Sequence, residues 1–410
     1  MPPERLSTRC CVVGGGPAGM MLGLLVARAG IDVLVLEKHA DFLRDFRGDT
    51  IHPSTLELMH ELGVLDELLT LPHQEVRELR AQFGQLSVPI ADFTHLPTRC
   101  RFLVFMPQWD FLNFLARHGA RYPAFRLRME ADVTGLIEDS DRVAGVSVST
   151  PRGPLEVRAD LVVGADGRHS VVRDKAGLRV MDLGAPMDVL WFRLSRQAGE
   201  PDEPVACFER GRIFIMLYRG EYWQCGYVIP KGGIDEIQAQ GLDAFRERVA
   251  AVAPYGHDRV GELATWDDIK LLTVHVDRLA QWYRPGLLCI GDAAHAMSPV
   301  GGVGINLALQ DAVAAANVLA APLSEGRAPV ERLRQVQRRR ELPTRVIQWF
   351  QVMVQRRVIA RILGGTAPMR PPLLLRLLAR FAVLRRIPAR LIGIGVRPEH
   401  LRSPVRRTSA

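Results

Sequence analysis

The stretch that decides the fold is Arg9–Glu37, which reads RCCVVGGGPAGMMLGLLVARAGIDVLVLE. Its first five residues form a short apolar run that predicts a buried strand, and Val33–Leu36 predicts a second one. Between them, Pro17–Ala29 predicts a helix, with Pro17 in its first turn and Gly30 as its C-cap. A strand, a helix and a strand in this order begin a parallel βαβ unit.

Three glycines at the strand-to-helix turn fit a dinucleotide site. Gly14 permits the tight turn, Gly16 lets the backbone approach a pyrophosphate, and Gly19 allows the helix to pack closely on the strand. The helix N-terminus directs N–H groups at a phosphate. Glu37 lies 18 residues after the last glycine, where a carboxylate binds ribose hydroxyls. The pattern predicts a bound dinucleotide and leaves both NAD and FAD open.

Beyond this unit the chain alternates between helical and extended patterns. Helices are predicted at Pro53–Leu62, Asp110–His118 and Ala308–Ala321, a hairpin at Ala131–Val148, and short buried strands at Leu161–Val163 and Leu287–Ile290. Between residues 184 and 273, aromatic and β-branched side chains cluster in Val189–Leu194, Ile213–Tyr218 and Tyr222–Ile229. These clusters predict an antiparallel sheet. After Pro343 the pattern is mostly helical.

Charge is distributed unevenly along the 410 residues. The formal net charge is +8, but the segment from Glu331 to the C-terminus holds 19 arginines, no lysine and 3 acidic residues. This segment is therefore either a solvated helical tail or a surface for an anionic partner such as a membrane. No nucleic-acid-binding motif accompanies the charge, so a nucleic-acid partner is not expected.

The six cysteines form no CxxC pair and no zinc pattern. Most lie in apolar stretches, where a free cysteine behaves as a small core residue. This usage is typical of a reducing compartment, so a cytoplasmic location is expected. No clustered ligand motif indicates a metal site.

Two further segments carry a family resemblance. Residues 164–170 read GADGRHS, followed by Arg173, and residues 291–295 read GDAAH, followed by Pro299 and a glycine-rich turn. With the N-terminal glycines, they resemble the three conserved segments of the p-hydroxybenzoate-hydroxylase-like flavin monooxygenases, in that family's order and spacing. The resemblance covers most of residues 9 to 320.

The resemblance implies an α/β architecture: a Rossmann-like FAD-binding domain of the GR2 type, interleaved with a mixed-sheet substrate domain and followed by C-terminal helices. The FAD-binding domain is assigned to residues 1–75, 106–183 and 276–342. The substrate domain is assigned to 76–105 and 184–275, and the helical segment to 343–410.

The resemblance also implies site residues. Asp292 hydrogen-bonds the ribityl chain, Asp166 and Gly167 bridge the FAD and nicotinamide sites, and Gly301–Asn306 begins a helix that faces the flavin pyrimidine. The predicted cofactor-binding set is Gly14, Gly16, Pro17, Ala18, Gly19, Glu37, Lys38, Arg47, Gln108, Asp166, Gly167, Gly291, Asp292, Pro299, Gly301, Gly302, Gly304, Ile305 and Asn306. Arg47 and Pro299 are also candidates to lie beside the flavin and the substrate. Gln108 stands where the family often has an arginine near the phosphates. His295 is interpreted as a structural histidine within GDAAH.

The implied activity is NAD(P)H-dependent monooxygenation. In the family, NADH or NADPH reduces the flavin, and O₂ gives a flavin hydroperoxide that transfers oxygen to a small electron-rich substrate. Candidate pocket residues on the predicted sheet are Trp191, Phe208, Phe214, Met216, Trp223 and Tyr227. Aromatic residues at alternating strand positions also fit a core, and strand parity does not say which face meets the flavin. A flavin reductase or dehydrogenase, and a non-catalytic FAD-binding scaffold, remain as alternatives.

The segment Leu373–Ile392 is predicted to be an amphipathic helix with Arg376, Arg380, Arg386 and Arg390 along it. Two interpretations stay open. The helix lies on a membrane surface and receives a lipophilic substrate, or it packs on the catalytic body with its arginines in water.

Overall fold

The computed structural model describes residues 3–43, 50–84, 86–209, 211–365 and 373–406. In these ranges the strands are β1 (Glu4–Val13), β2 (Val33–Leu36), β3 (Thr50–Ile51), β4 (Gln74–Val76), β5 (Glu78–Phe83), β6 (Leu86–Asp92), β7 (Leu103–Phe105), β8 (Phe125–Arg128), β9 (Asp132–Asp139), β10 (Arg142–Thr150), β11 (Gly153–Gly164), β12 (Val180–Asp182), β13 (Met187–Ser195), β14 (Val205–Glu209), β15 (Arg212–Tyr218), β16 (Tyr222–Pro230), β17 (Lys270–Leu272), β18 (Asp277–Leu279), β19 (Tyr283–Arg284) and β20 (Leu287–Cys289). The α-helices are α1 (Pro17–Arg28), α2 (Pro53–Glu61), α3 (Leu65–Leu68), α4 (Gln108–Gly119), α5 (Val171–Lys175), α6 (Ile234–Ala239), α7 (Leu242–Ala250), α8 (Gly304–Ser324), α9 (Val330–Val354), α10 (Ala360–Leu363), α11 (Leu373–Arg380) and α12 (Arg386–Gly393).

The first sheet contains the predicted βαβ unit. Its parallel strands lie in the order β20, β11, β1, β2 and β8, and the predicted hairpin β9–β10 pairs with β11. The second predicted strand, β2, has the predicted bounds. β1 starts earlier than predicted because its polar first half pairs with the outer half of β11. Helix α1 packs against α4 and α8.

The second sheet has the order β17, β13, β16, β15, β14, β5 and β6. It confirms the antiparallel sheet predicted between residues 184 and 273, although β14 and β5 pair in parallel. Helix α7 covers one face through Phe245 and Val249. The opposite face packs against Ile359 and Ile362 from the C-terminal helices. Because strands of the two sheets alternate along the chain, the predicted interleaved α/β architecture is confirmed.

The C-terminal segment begins with one long helical element. α9 continues through a π-helical turn, Gln355–Ile359, into α10. It starts before the predicted helical region and includes Pro343, so the boundary assigned between residues 342 and 343 falls within this helix.

The amphipathic helix predicted over Leu373–Ile392 is not continuous. Phe381 has an extended backbone conformation (φ −121°, ψ 101°), which ends α11, and a 3₁₀ turn, Ala382–Arg385, separates it from α12. The prediction of one helix was therefore wrong, because an i, i+4 pattern on both sides of residue 381 does not report a break between two short helices.

Within the described residues, one segment, Val300–Ser324, is long and apolar enough to cross a membrane. It consists of a 3₁₀ turn and α8, and 78% of its apolar window is buried in the fold. Its apolar character is thus used for packing against α1 and α9.

Candidate functional site

The glycine-rich turn after β1 has the tight geometry that its sequence predicts. Gly14 has φ +106°, and a Cβ there would collide with the backbone at Ala165. A Cβ at Gly19 would collide with the carbonyl oxygen of Gly14, so helix and strand touch. A Cβ at Gly16, in contrast, would meet no atom within 4 Å. Two glycines therefore allow close packing, and the third leaves open space at the start of α1.

The start of α1 has the properties of an anion site. Gly16 is the N-cap and Pro17 follows it, while no described side chain caps the helix. Ala18 is buried beneath the turn. The unsatisfied N–H groups and the helix dipole both favour negative charge here.

Glu37 lies beside this turn. Its Oε2 accepts a hydrogen bond of 2.9 Å from the Gly15 N–H, and its Oε1 accepts one of 3.1 Å from the His39 N–H. Burial favours a raised pKa, but the hydrogen bonds from His39 and Gly15 outweigh it and lower the pKa of Glu37. The carboxylate is thus charged and held at the end of β2. Lys38, next in the chain, is exposed.

The second motif follows β11. Oδ1 of Asp166 accepts a 2.6 Å hydrogen bond from Ser170 Oγ, and Oδ2 accepts a 3.1 Å bond from the Val172 N–H. Burial raises the pKa of Asp166. Gly167 has φ +84° with open space around it. Both oxygens of Asp166 are therefore used to hold the turn that starts α5.

The third motif follows β20 and meets the other two. A Cβ at Gly291, where φ is +58°, would lie 3.1 Å from the Cβ of Ala18. Ile290 donates its N–H to Gly164 O at 2.9 Å, and Arg168 Nη2 lies 3.8 Å from Asp292 Oδ2. The three segments converge because β1, β11 and β20 are parallel neighbours, and ligands bind at the carboxyl ends of such strands.

The glycine-rich turn after Pro299 leads into α8. Gly301 and Gly302 have φ of +80° and +62° in a 3₁₀ turn, and α8 begins at Gly304, followed by the half-buried Ile305. Asn306 Oδ1 accepts hydrogen bonds of 2.8 Å from the hydroxyls of Ser54 and Thr55. The predicted start of a helix in this segment is confirmed. Gly301 and Gly302 lie in the turn that precedes the helix, and Gly304 is its first residue.

His52 fastens this turn to the C-terminal helices. Its Nε2 lies 2.9 Å from Gly302 O, and its Nδ1 lies 2.7 Å from Ile392 O. The side chain is fully buried. Burial lowers the pKa of His52, although both carbonyl oxygens favour the protonated ring. His52 was not predicted from the sequence.

A buried charge cluster lies beneath the third motif. His295 Nε2 lies 2.5 Å from Asp311 Oδ2, which also accepts a 3.1 Å bond from the Gly291 N–H. Arg340 Nε donates to Asp311 Oδ1 at 2.8 Å. Burial opposes ionisation of Asp311, but His295 and Arg340 outweigh it and lower its pKa. His295 is buried and its ring packs against Trp282.

A row of buried glutamines on the C-terminal helix holds the segment between the third motif and Gly301. Gln348 Nε2 donates to Asp277 O and Ala296 O at 2.6 and 3.1 Å. Gln351 Nε2 donates to Ser298 O and Val300 O at 2.9 Å each.

Gln355, in the π turn, donates to Ser298 Oγ at 2.6 Å. This row of glutamines was not predicted from the sequence. Its only signal is the spacing of 348, 351 and 355 on one helical face.

The second sheet divides the predicted pocket residues between its faces. One group packs with Phe245 on the face that α7 covers, and it consists of Phe214, Met216, Trp223 and Tyr227. Trp191 and Phe208 lie on the other face, where Val300 also packs. This placement corrects the prediction for the first four, which are core residues. Neighbouring positions in a strand point to opposite faces, and parity was not readable from the sequence.

Two predicted cofactor-binding residues remain, Gln108 and Arg47. Gln108 is the half-buried first residue of α4. Arg47 lies outside the described residues. In the part of the chain that the structure describes, no group of three or more His, Cys, Asp or Glu residues is arranged to hold a metal ion.

Comparison with known proteins identifies the class. The family profile described as FAD binding domain matches residues 7–349. The chain belongs to this family, that of the p-hydroxybenzoate-hydroxylase-like FAD-dependent aromatic monooxygenases.

One similar protein is 6-methylpretetramide 4-monooxygenase of Streptomyces rimosus, which is 34% identical over 392 residues, 94% of this chain and 93% of that protein. A second is dialkyldecalin synthase of Streptomyces rugosporus, 29% identical over 75% of this chain and 64% of that protein. The crystal structure of p-nitrophenol 4-monooxygenase from Pseudomonas putida DLL-E4 superposes with a TM-score of 0.74 at 21% identity, over 95% of this chain and 94% of that one. This last likeness shows the fold.

Proposed function

We propose that this FAD-dependent monooxygenase uses NADH or NADPH and O₂ to hydroxylate or epoxidise a small electron-rich substrate, aromatic or polyketide-like, through a flavin C4a-hydroperoxide. The observation that carries the proposal is the convergence of the three motif segments at the carboxyl ends of β1, β11 and β20. FAD, when bound, supplies the oxygen chemistry, and the protein binds, orients and shields the reactants.

The residues at the convergence fit FAD. The open space at Gly16 accommodates a pyrophosphate against the start of α1. The charged carboxylate of Glu37, held by Gly15 and His39 at the end of β2, is placed for the ribose. Asp292, paired loosely with Arg168, is assigned to the ribityl chain.

The turn before α8 is assigned to the flavin pyrimidine. A helix N-terminus stabilises the negative charge that develops there on reduction. His52 and the glutamine row fix this turn from both sides. The backbone N–H groups of residues 301–306 are thus held in place before the cofactor is reduced.

The substrate is assigned to the face of the second sheet that lies opposite α7. Trp191 lies on this face with Val228, Val300 and Ile359 around it. A Cβ at Gly226 would lie 3.0 Å from the Trp191 ring, so glycine lets the indole lie flat across β16. An apolar wall of this kind suits an aromatic or polyketide-like molecule, and the similar protein from Streptomyces rimosus is named as a monooxygenase of 6-methylpretetramide.

We also infer a reducing, cytoplasmic setting. All six cysteines are buried and unpaired. Burial alone raises the pKa of Cys10 to about 12, so this thiol stays protonated and unreactive.

Anaerobic reduction followed by mixing with O₂ tests the proposal. The FAD-loaded protein is reduced with NADH or NADPH and mixed with isotopically labelled O₂ and an aromatic polyketide. We expect a transient flavin hydroperoxide by stopped-flow absorbance and one labelled oxygen atom in the product by mass spectrometry. Reduction without labelled product from any phenol or polyketide tested would favour a reductase or dehydrogenase of the same fold.

A non-oxidative role must also be distinguished from oxygenation, because one similar protein is named as a synthase. Bound FAD that NADH and NADPH do not reduce would indicate a scaffold or a non-redox catalyst. Failure to bind FAD at all would overturn the assignment of the site.

A further inference from the structure

The two short helices near the C-terminus carry a surface that the oxygenation chemistry does not use. Its apolar members are large side chains between 39% and 69% exposed: Leu373, Leu377, Phe381, Val383 and Ile387. They lie within fifteen residues of one another in sequence, on α11, the 3₁₀ turn and α12. We call these residues, with the arginines described next, the C-terminal surface.

Four exposed arginines, Arg376, Arg380, Arg386 and Arg390, belong to the same helices. None of them forms a salt bridge with an acidic residue in the described part of the chain, whereas many other exposed arginines do. Residues 342–398 contain eleven arginines and no aspartate or glutamate. Within the described residues, the positive charge of this surface is therefore not paired with any acidic side chain.

Side chains other than the exposed ones attach α11 and α12 to the rest of the protein. Leu378 is buried, and Leu375 packs on the cluster of Phe83 and Val88. Ala389 and Ile392 join the core around Phe93. Each helix thus has one face on the protein and a second, apolar and basic face in solvent. Contiguous exposed apolar patches usually mark an interaction site.

The surface lies next to the candidate site. The α12 carbonyl of Ile392 meets His52, which also meets Gly302 of the turn before α8. A Cβ at Gly301 would lie 3.9 Å from the Ile392 side chain. A partner bound to this surface is therefore a few residues from the turn assigned to the flavin.

We propose that the C-terminal surface binds an anionic lipid membrane. Large apolar side chains inserted among headgroups, flanked by arginines beside lipid phosphates, are the two components of interfacial binding. The absence of acidic residues from 342 to 398 makes the charge complementary to anionic lipid. This placement brings lipophilic substrates to the catalytic face, but the binding itself does not depend on the proposed oxygenation.

Vesicle co-sedimentation of the FAD-loaded full chain tests the proposal. We expect binding to vesicles of phosphatidylcholine with phosphatidylglycerol, and at least ten-fold weaker binding to phosphatidylcholine alone or at high salt. Arg376→Gln with Arg390→Gln should weaken binding about twenty-five-fold, at about five-fold per arginine. Phe381→Ser with Ile387→Ser should weaken it by at least about ten-fold.

Matched controls separate this surface from general charge and apolarity. Arg5→Gln removes one exposed arginine of the first sheet, and Leu271→Ser removes one exposed apolar side chain of the second. Both should bind vesicles like the unmodified chain, and all variants should retain FAD.

Absence of binding to anionic vesicles would overturn the proposal, as would binding that the four substitutions in the surface leave unchanged. A concentration-dependent dimer that Phe381→Ser abolishes, without vesicle binding, would reassign the surface to a second copy of the chain. Retention of FAD in every variant keeps these outcomes distinct from a failure of the flavin site.

Discussion

The two sheets contribute to the candidate site in different ways. The first sheet offers the ends of its strands, where backbone turns at Gly14, Gly167 and Gly291 leave room for a ligand. The second sheet offers one of its faces, to which we assign the proposed substrate and where Trp191 belongs to an apolar cluster. The proposed cofactor region is thus determined by backbone geometry and the proposed substrate region by side-chain orientation. Substitutions in the two regions should therefore impair different properties of the protein, FAD binding in the first and substrate binding in the second.

The largest effect on cofactor binding is expected at the glycine turn. Gly19→Ala places a methyl group against the Gly14 carbonyl, so α1 must move away from β1. We expect loss of FAD from the purified protein and destabilisation of about 3 kcal/mol, measured by flavin absorbance and thermal unfolding.

Gly16→Ala provides the sharper comparison. Its methyl group meets no atom within 4 Å, so the apoprotein should keep its stability while FAD affinity falls by at least about ten-fold. Gly261→Ala, also in open space, is the control and should change neither quantity. Unchanged FAD affinity in Gly16→Ala would contradict a pyrophosphate at this turn.

The two faces of the second sheet are compared by Trp223→Ala and Trp191→Ala. Trp223 is fully buried on the α7 side, and its Nε1 donates to Glu200 at 2.7 Å. We expect its loss to cost about 3–5 kcal/mol of unfolding free energy. Among molecules that remain folded, substrate KM should not change.

Trp191→Ala should affect substrate binding more than it affects stability. We expect a smaller loss of stability, with a raised substrate KM and more NADH or NADPH oxidised per product formed. Urea unfolding and steady-state kinetics measure the two effects. Equal effects of both substitutions on KM would remove the distinction between the faces.

The glutamine row joins the two regions, and a smaller effect is expected there. Gln351→Leu leaves the carbonyl oxygens of Ser298 and Val300 without their buried donor. An unsatisfied buried group costs about 1–3 kcal/mol. We expect a lowered kcat and a shifted flavin reduction potential with substrate KM unchanged.

Gln337→Leu is the control for this helix. Gln337 bonds Ala280 and Trp282, outside the turn that carries Pro299. Its loss should lower stability comparably and leave the potential unchanged. A potential shifted equally by both substitutions would show that the effect is not local to the turn.

The smallest effect concerns the acid dependence of stability. Asp188 is buried, which favours a raised pKa, but bonds from Gly232, Lys231 and Val274 outweigh burial and lower it. Because the folded pKa lies below the unfolded value, this contribution is complete above about pH 4 and is lost as the pH falls further.

Asp188→Asn should therefore reduce the difference in unfolding free energy between pH 7 and pH 3.5. Urea unfolding at both values measures it, with the exposed Asp243→Asn as control. An unchanged difference would show that Asp188 does not contribute to acid denaturation.

The sequence by itself determined the class of the fold and the cofactor region. A turn such as Gly14–Gly19 is encoded by a few local residues, because only glycine accepts the required conformations and close approaches. Strand, turn and helix follow one another along the chain, so their residues can be identified from spacing alone. The motifs at residues 164–170 and 291–295 are of the same local kind.

Only the tertiary structure decided what depends on distant contacts. It assigned four aromatic or apolar side chains to the core face, those of Phe214, Met216, Trp223 and Tyr227. The sequence could not decide this, because a shift of one residue in strand register exchanges the two faces and leaves the sequence unchanged. It placed His52 between Gly302 and Ile392, more than two hundred residues away in sequence from either. It also divided the predicted C-terminal helix at Phe381, where packing of the two halves on the body competes with helical propensity.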